Sequence, residues 1–418
     1  MSSPLPRAPT KNIVVVGASY VGLAVATELS KVVGEEYRVV VVEKNSHFGH
    51  LFAYPRFAIS PSHEHTAFIP FSTTSHSMLP PPHTILHATA LSLLPSSRIL
   101  LDRPISLPSS PPSNEISYEA LILVTGTKLS PPGTMPGGTK AEGVGYLRSS
   151  QGRLREAERV VILGGGAVGV QMATDLATLY PPPLKHITLI QSRLLMPRFH
   201  PALHDLVLRR LEELGVEVVL GTRAEVPEGG WEGVNESGKG GKVRLTDGRE
   251  VEADYVIHAL GQTPNSSLLS TLSPSSILPT GYIRVTPSLL VCPSSASEAA
   301  ELGGKVFALG DVAESGAPKA ARPALEQARI VAGNVVKVLR GQGRESLETN
   351  TPTPAAIHLT LGFRESVIFR NPPQSPAGEW EGEPTVLWKD DGREDMGIRG
   401  VWERRLPGFA KREEDYHL

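Results

Sequence analysis

The chain has 418 residues, 40% of them hydrophobic, enough for two or three domains with large cores. Lys and Arg number 41 against 43 acidic residues, a formal charge of −2, which excludes bulk electrostatic attraction to nucleic acid. The single cysteine, Cys292, can form neither an internal disulfide nor a redox-active C-x-x-C pair, and fits a reducing compartment.

Residues 1–11 are rich in Pro and Ser and lack an apolar core, which predicts a disordered lead and not a signal peptide. Ser2 stands where N-myristoylation requires glycine. No window approaches the roughly 20 apolar residues of a membrane span. The expectation is a soluble cytoplasmic protein.

Residues 12–43 predict a strand, a glycine turn, a helix and a second strand. The β-branched run 13–16 is too short for a helix and suits a strand buried on both faces. Gly17 lets the chain turn sharply, Ala18 and Ser19 continue the turn, and Gly22 lets the helix pack close to the sheet. Ser19 replaces the middle glycine of G-x-G-x-x-G; it is small enough for the backbone to approach a phosphate. The second strand, 38–42, ends at Glu43 and Lys44. An acidic residue about 20 positions after such a fingerprint reaches the ribose hydroxyls of a dinucleotide, whose pyrophosphate meets the helix N-terminus. An ordinary βαβ crossover is the competing reading.

The segment 46–71 holds His47, His50, His63 and His65 among aromatics. His63 and His65 would share a face if the segment is extended, but the spacing matches no standard zinc pattern. A cofactor-facing aromatic wall and a partly buried loop are the other readings. Short strands are predicted over 84–101, then a Pro/Ser loop, then a buried strand at 118–124 running into Thr125, Gly126 and Thr127. Small residues there permit close approach of a ligand or simply a tight turn.

The opening pattern then repeats. A strand is predicted at 159–163, a complete G-x-G-x-x-G at Gly164, Gly166 and Gly169, a helix at 170–179 and a strand at 186–190 ending in Gln191, Ser192 and Arg193. Two fingerprints with matching flanks imply two dinucleotides. Glu43 would repel a 2′-phosphate, whereas neutral Gln191 with Arg193 nearby would tolerate or attract one, a lean towards NADPH at the second site unless Arg193 is only a solvated charge.

A helix is expected at 204–214, a strand at 216–220, a Gly-rich hairpin or loop over 227–242, a turn at Asp247-Gly248, and a strand at 255–260 ending in Gly261 with Pro264 and Asn265 beyond. The strand 306–309 ends in Gly310-Asp311, where the carboxylate can hold a sugar-alcohol hydroxyl. Residues 322–339 predict a helix with Leu325, Ala328, Val331, Val335 and Leu339 on its apolar face. From 345 the chain is richer in Pro, Gly and charge, with strands at 356–361 and 366–369. The tail 397–412 mixes apolar residues with Arg and Lys, and reads either as an ordinary packed tail or as a surface for peripheral membrane contact.

Together Gly17 to Gly22 with Glu43, Thr125-Gly126-Thr127, Gly164 to Gly169, Gly261 with Pro264-Asn265, and Gly310-Asp311 resemble the signature of pyridine nucleotide-disulfide oxidoreductase flavoproteins. The chain looks most like the apoptosis-inducing-factor-like group with its ferroptosis suppressor flavoproteins and fungal homologues, PKAARPALEQARIVAGNVV after Asp311 included. The resemblance implies an α/β fold of two Rossmann-like domains, the second inserted in the first, plus a small C-terminal α+β region. The boundaries it suggests are 12–150 with 271–344 for FAD, 151–270 for NAD(P)H, and 345–418 for the C-terminal region. FAD would lie at Gly17 to Gly22, its ribose on Glu43 and its ribitol near Asp311. NADPH or NADH would dock at Gly164 to Gly169 and pass hydride to flavin N5. Lys319 and the start of the next helix would sit near the flavin pyrimidine ring, where positive potential favours the reduced cofactor.

Departures from the family narrow the mechanism. Gln171 stands where many relatives carry a glutamate beside the nicotinamide; with Lys319 it is a candidate catalytic position. Cys292 alone cannot relay electrons, so they would leave the flavin directly for a small-molecule acceptor: a quinone, a soluble acceptor, oxygen or an organic substrate. ARPALEQA does not reproduce the quinone-site pattern of type II NADH dehydrogenases. Two other functions compete with this one: flavin-dependent oxidation of a specialised metabolite with little NAD(P)H use, and a nucleotide-dependent redox sensor or interaction protein. The residues leave the oligomeric state open.

Overall fold

The computed structural model describes residues 11–108, 110–228, 230, 231, 235 and 240–417. The chain divides into two compact units whose segments interleave along the sequence. The expected disordered lead lies, except for Lys11, outside the described residues, as do parts of the Gly-rich stretch 227–242.

The first unit runs to Phe48 and continues with Pro70–Lys128 and Thr263–Thr353. Its centre is a five-stranded parallel sheet in the order Val306–Ala308, Ala120–Leu123, Lys11–Val16, Tyr37–Glu43, Thr84–His87. The central strands are apolar on both faces because helices or loops cover each, the pattern that parallel sheets require. Val14, Val40, Leu121 and Ala308 are fully buried. The helix Tyr20–Val32 connects the first two strands and packs against the long helix Ala321–Leu339. The long helix buries Ala328, Val331 and Val335 of its expected apolar face, but that face is centred on Ala324 and Gln327 as well, and Leu325 is 47% exposed. Short residues at 324 and 328 allow close approach to the neighbouring helix, which a leucine would prevent.

The second unit comprises Gly49–Ile69, Leu129–Gln262 and Pro354–Leu418. Its parallel sheet has the order Glu217–Leu220, His186–Gln191, Arg159–Leu163, Tyr255–His258. The C-terminal strands Ala356–Thr360, Ser366–Arg370 and Thr385–Lys389 form an antiparallel sheet. Its Leu359, Leu361, Val367 and Phe369 enter the same core as Val170, Leu176, Leu203 and Val207 from the dinucleotide-unit helices. Residues 354–417 thus belong to this compact unit, where the sequence reading drew a separate region. The unit also takes in the unforeseen helix Lys140–Glu156, whose Thr139 and Glu142 form a reciprocal capping box. Gln151 on this helix donates to the carbonyl of Phe57 at 2.7 Å.

The tail is helical over Ile398–Arg405, and its Ile398, Val401 and Trp402 are buried. Trp402 donates its indole N–H to the Thr66 carbonyl at 2.8 Å. No helix among the described residues is long and apolar enough to cross a membrane.

Candidate functional site

Both fingerprints build the same crossing of backbone on backbone. Gly17 leaves its strand at φ +107°, and a Cβ on Gly22 would stand 1.9 Å from the Gly17 carbonyl oxygen. Gly164 turns at φ +111°, and a Cβ on Gly169 would stand 1.9 Å from the Gly164 oxygen. No side chain could be accommodated at either second glycine. The middle position is different. Ser19 (φ −78°, ψ −161°) and Gly166 (φ −85°, ψ −174°) are both extended, and a Cβ on Gly166 would meet nothing within 4 Å. Serine therefore stands in the first loop without strain. Neither helix carries a side-chain cap or an acidic residue in its first turn, which leaves its free N–H groups and positive dipole end to an anion.

The residue closing each second strand grips the turn of the first. The Glu43 carboxylate, 7% exposed, accepts from the Ala18 N–H at 2.5 Å through Oε2 and from Asn45 N and Nδ2 at 2.8 and 2.7 Å through Oε1. A carboxylate has about four acceptor sites, so capacity remains for a ribose hydroxyl. In the second unit Gln191 Oε1 accepts from the Gly165 N–H at 3.0 Å. Arg193 is exposed and has no ion-pair partner among the described residues. Lys44 is exposed too, its carbonyl bonded to His87 Nε2 at 3.1 Å. These features fit dinucleotides: open helix ends suited to pyrophosphates, an acid closing the strand of the first unit, and a neutral residue with an exposed cation nearby in the second.

The other expected positions fall as follows. Thr125 Oγ1 donates to the Asn265 carbonyl at 2.6 Å, and Asn265 Nδ2 returns a bond to the Thr125 carbonyl at 2.9 Å. Gly126 and Gly261 both take positive φ, +63° and +57°. Gly310 donates its N–H at 2.9 Å to the amide oxygen of Gln327, 2% exposed, and half-buried Asp311 follows in a short 3-10 turn. Lys319, just before the helix Ala321–Leu339, bonds the Ala313 carbonyl and lies 4.4 Å over the Tyr282 ring, 3.8 Å from the Glu314 carboxylate. Gln171, in the helix Ala167–Leu179 of the second unit, sets its side-chain amide against the buried Asp175 carboxylate one helical turn on, where its hydrogen bonding pulls the carboxyl down.

The histidine segment is not extended around His63 and His65, although His47–Gly49 and Phe68–Pro70 are short strands. It forms short helical turns at Tyr54–Phe57 and His65–Ala67, with His63 against Phe57 at 5.3 Å and His65 stacked on His417 at 4.0 Å. Proline at 55 and the local carbonyl bonds of residues 58–60 favour the turns over a strand. Among the described residues no three His, Cys, Asp or Glu converge as a metal set.

The sequence reading missed a buried ion pair. Arg56 Nε and Nη2 donate to both oxygens of Asp175 at 2.9 and 2.7 Å, and Nη2 also bonds the Gly362 carbonyl at 2.7 Å. Burial pushes the Asp175 carboxyl up, against the pull of the Arg56 guanidinium and its hydrogen bonds. The partners are 119 positions apart, so no local pattern announces them.

Residues 84–328 match the pyridine nucleotide-disulphide oxidoreductase family. The chain is 36% identical over 409 residues to Fe-regulated protein 8 of Mycosarcoma maydis, covering 94% of this chain and 95% of that protein. It is 25% identical over 370 residues to human ferroptosis suppressor protein 1, covering 85% and 87% of the two chains. The sulfide:quinone oxidoreductase of the hyperthermophilic bacterium Aquifex aeolicus shares the fold, with a TM-score of 0.69 at 16% identity over 95% of this chain and 92% of that one. The chain therefore belongs to the pyridine nucleotide-disulphide oxidoreductase family, as an FAD-dependent NAD(P)H oxidoreductase of the apoptosis-inducing-factor-like and ferroptosis-suppressor-like group.

Proposed function

We propose that the protein takes hydride from NADPH in preference to NADH and delivers the electrons, without a cysteine relay, to a small acceptor of quinone type. The observation that carries the absence of a relay is chemical: a dithiol relay needs two sulfurs, and Cys292 is the chain's single cysteine. FAD, when bound, supplies the two-electron carrier between the coenzyme and the acceptor. The protein's own work is binding and orientation.

On this reading Gly17, Ala18, Ser19 and Gly22 hold the FAD pyrophosphate, Glu43 with Lys44 beside it faces the ribose, and Thr125, Gly126, Gly310 and Asp311 line the remainder. Lys319 contributes positive charge near the helix Ala321–Leu339. Gly164, Gly166 and Gly169 hold the coenzyme, with Gln191 and Arg193 at its ribose and Gly261 at the end of the neighbouring strand. Gln171, in the helix that follows these glycines, is assigned to the nicotinamide side of the coenzyme. Arg193, exposed and without a carboxylate partner among the described residues, supports the 2′-phosphate preference. A soluble cytoplasmic enzyme that meets its acceptor at a membrane surface is compatible with a tail whose apolar residues pack inward.

The test is an anaerobic titration of the FAD-loaded protein with NADPH and then NADH, following the flavin absorbance. Bleaching at lower NADPH than NADH concentration is expected, with colour restored by a soluble quinone. Flavin that stays oxidised with both coenzymes would sink the reading; bleaching that only oxygen or an organic substrate reverses would remove the quinone.

A further inference from the structure

The strand His186–Gln191 is followed by a rim, residues 192–200, which on the reading above borders the coenzyme's ribose. The rim is held in one shape from two sides. On the glycine side, Met196 donates its N–H to the Gly165 carbonyl at 2.8 Å, and Gln191 Nε2 bonds the Leu194 carbonyl at 3.2 Å. Met196 sits at φ +50°, a conformation a non-glycine residue keeps only when its surroundings over-determine it.

On the other side the grip comes from the C-terminal sheet. Asn371, immediately after the strand Ser366–Arg370 and 8% exposed, accepts from the His200 N–H at 2.9 Å and donates to the Arg198 carbonyl at 3.3 Å. Its side-chain amide thus pairs with the rim as a neighbouring strand would. Trp380 packs edge-on against the His200 ring at 5.5 Å, and Phe369 against Phe199 at 6.2 Å. The rim itself presents two exposed cations, Arg193 and Arg198.

We propose that Asn371, backed by Trp380, is a positioning residue for the coenzyme: it presets the 192–200 rim so that Arg193 and Arg198 meet the 2′-phosphate of NADPH. The inference rests on the reading that the second unit takes NAD(P)H. A rim ordered in advance binds without the entropic cost of ordering it on contact, so loosening it weakens affinity rather than the chemical step.

Calorimetric titration of the FAD-loaded full-length protein with NADP+ and with NAD+ tests this. Asn371→Ala is expected to weaken NADP+ binding about tenfold, which corresponds to about 1.4 kcal/mol, and NAD+ binding less. FAD content and the limiting rate of flavin reduction at saturating NADPH should hold. Asn371→Asp keeps the acceptor for His200 and loses the donor to Arg198, and should fall between. A purely structural asparagine would lower the melting temperature and leave the affinity of the folded protein alone; that result, or equal losses for NADP+ and NAD+, overturns the proposal. If Asn371→Ala fails to fold, Trp380→Ala decides, with about threefold weaker NADP+ expected and an unchanged affinity overturning the idea. Wild-type protein that binds neither coenzyme would instead remove the reading of the second unit.

Discussion

At the scale of single residues, the two fingerprint glycines are separable by experiment. A methyl group on Gly22 or Gly169 would lie 1.9 Å from a carbonyl oxygen, so backbone must move in either variant. Gly22→Ala should lower FAD occupancy about tenfold or more and give a nearly colourless protein. Gly169→Ala should keep the flavin colour and lose bleaching by NADPH. Absorbance spectra of the purified proteins before and after NADPH check both, and loss of flavin in Gly169→Ala would contradict the assignment of one dinucleotide to each turn. The Ser19 departure from the glycine pattern has a plain explanation at this scale, because an extended φ of −78° places no demand for glycine.

At the scale of elements, a buried ion pair helps hold the second unit. Arg56 and Asp175 are 1% and 0% exposed, and removing one partner strands the other in the core. Arg56→Met should cost roughly 3–5 kcal/mol, and the double replacement Arg56→Met with Asp175→Leu should recover much of it. Denaturant unfolding of the three proteins measures the difference; a single variant within 1 kcal/mol of wild type would contradict a tightly held pair.

His50 provides the pH dependence. Burial first, then Arg404 and Arg405, lower it from the ordinary 6.5 to about 4. Between those values the unfolded chain binds the proton and the folded one does not. Stability is therefore full above about pH 6.5 and falls as the pH drops towards 4, by about 3 kcal/mol. A melting-temperature profile should show that loss, and His50→Phe should flatten part of it; a variant with the wild-type slope would assign the pH dependence to other groups.

At the scale of the whole molecule, electron flow is the distinguishing property. A family that often relays electrons through paired thiols is represented here by a chain with one half-buried cysteine. If electrons pass directly from the flavin to the acceptor, as proposed, Cys292→Ser should leave the rate of NAD(P)H oxidation with a small-molecule acceptor within about twofold of wild type, a change below 0.5 kcal/mol. Steady-state rates under reducing and oxidising conditions would reveal any dependence on the thiol. A large loss with FAD still bound would point to sulfur chemistry and against direct transfer.

What the sequence determined by itself is local. Turn, uncapped helix start and strand-closing residue lie within one short βαβ stretch, and their steric demands are written in neighbouring residues: Gly17 with Gly22, Gly164 with Gly169, and runs such as residues 13–16 that only a buried strand accommodates. Thr139 and Glu142 carried an equally local capping signal for the helix Lys140–Glu156. Only the tertiary structure decided that Ala324 and Gln327 rather than Leu325 are buried on Ala321–Leu339, that Arg56 meets Asp175, and that Asn371 pairs with a rim 171 positions away at His200. Such pairings depend on how elements pack, and packing is chosen by the burial of the whole apolar surface at once; no stretch of the chain contains both halves of the decision.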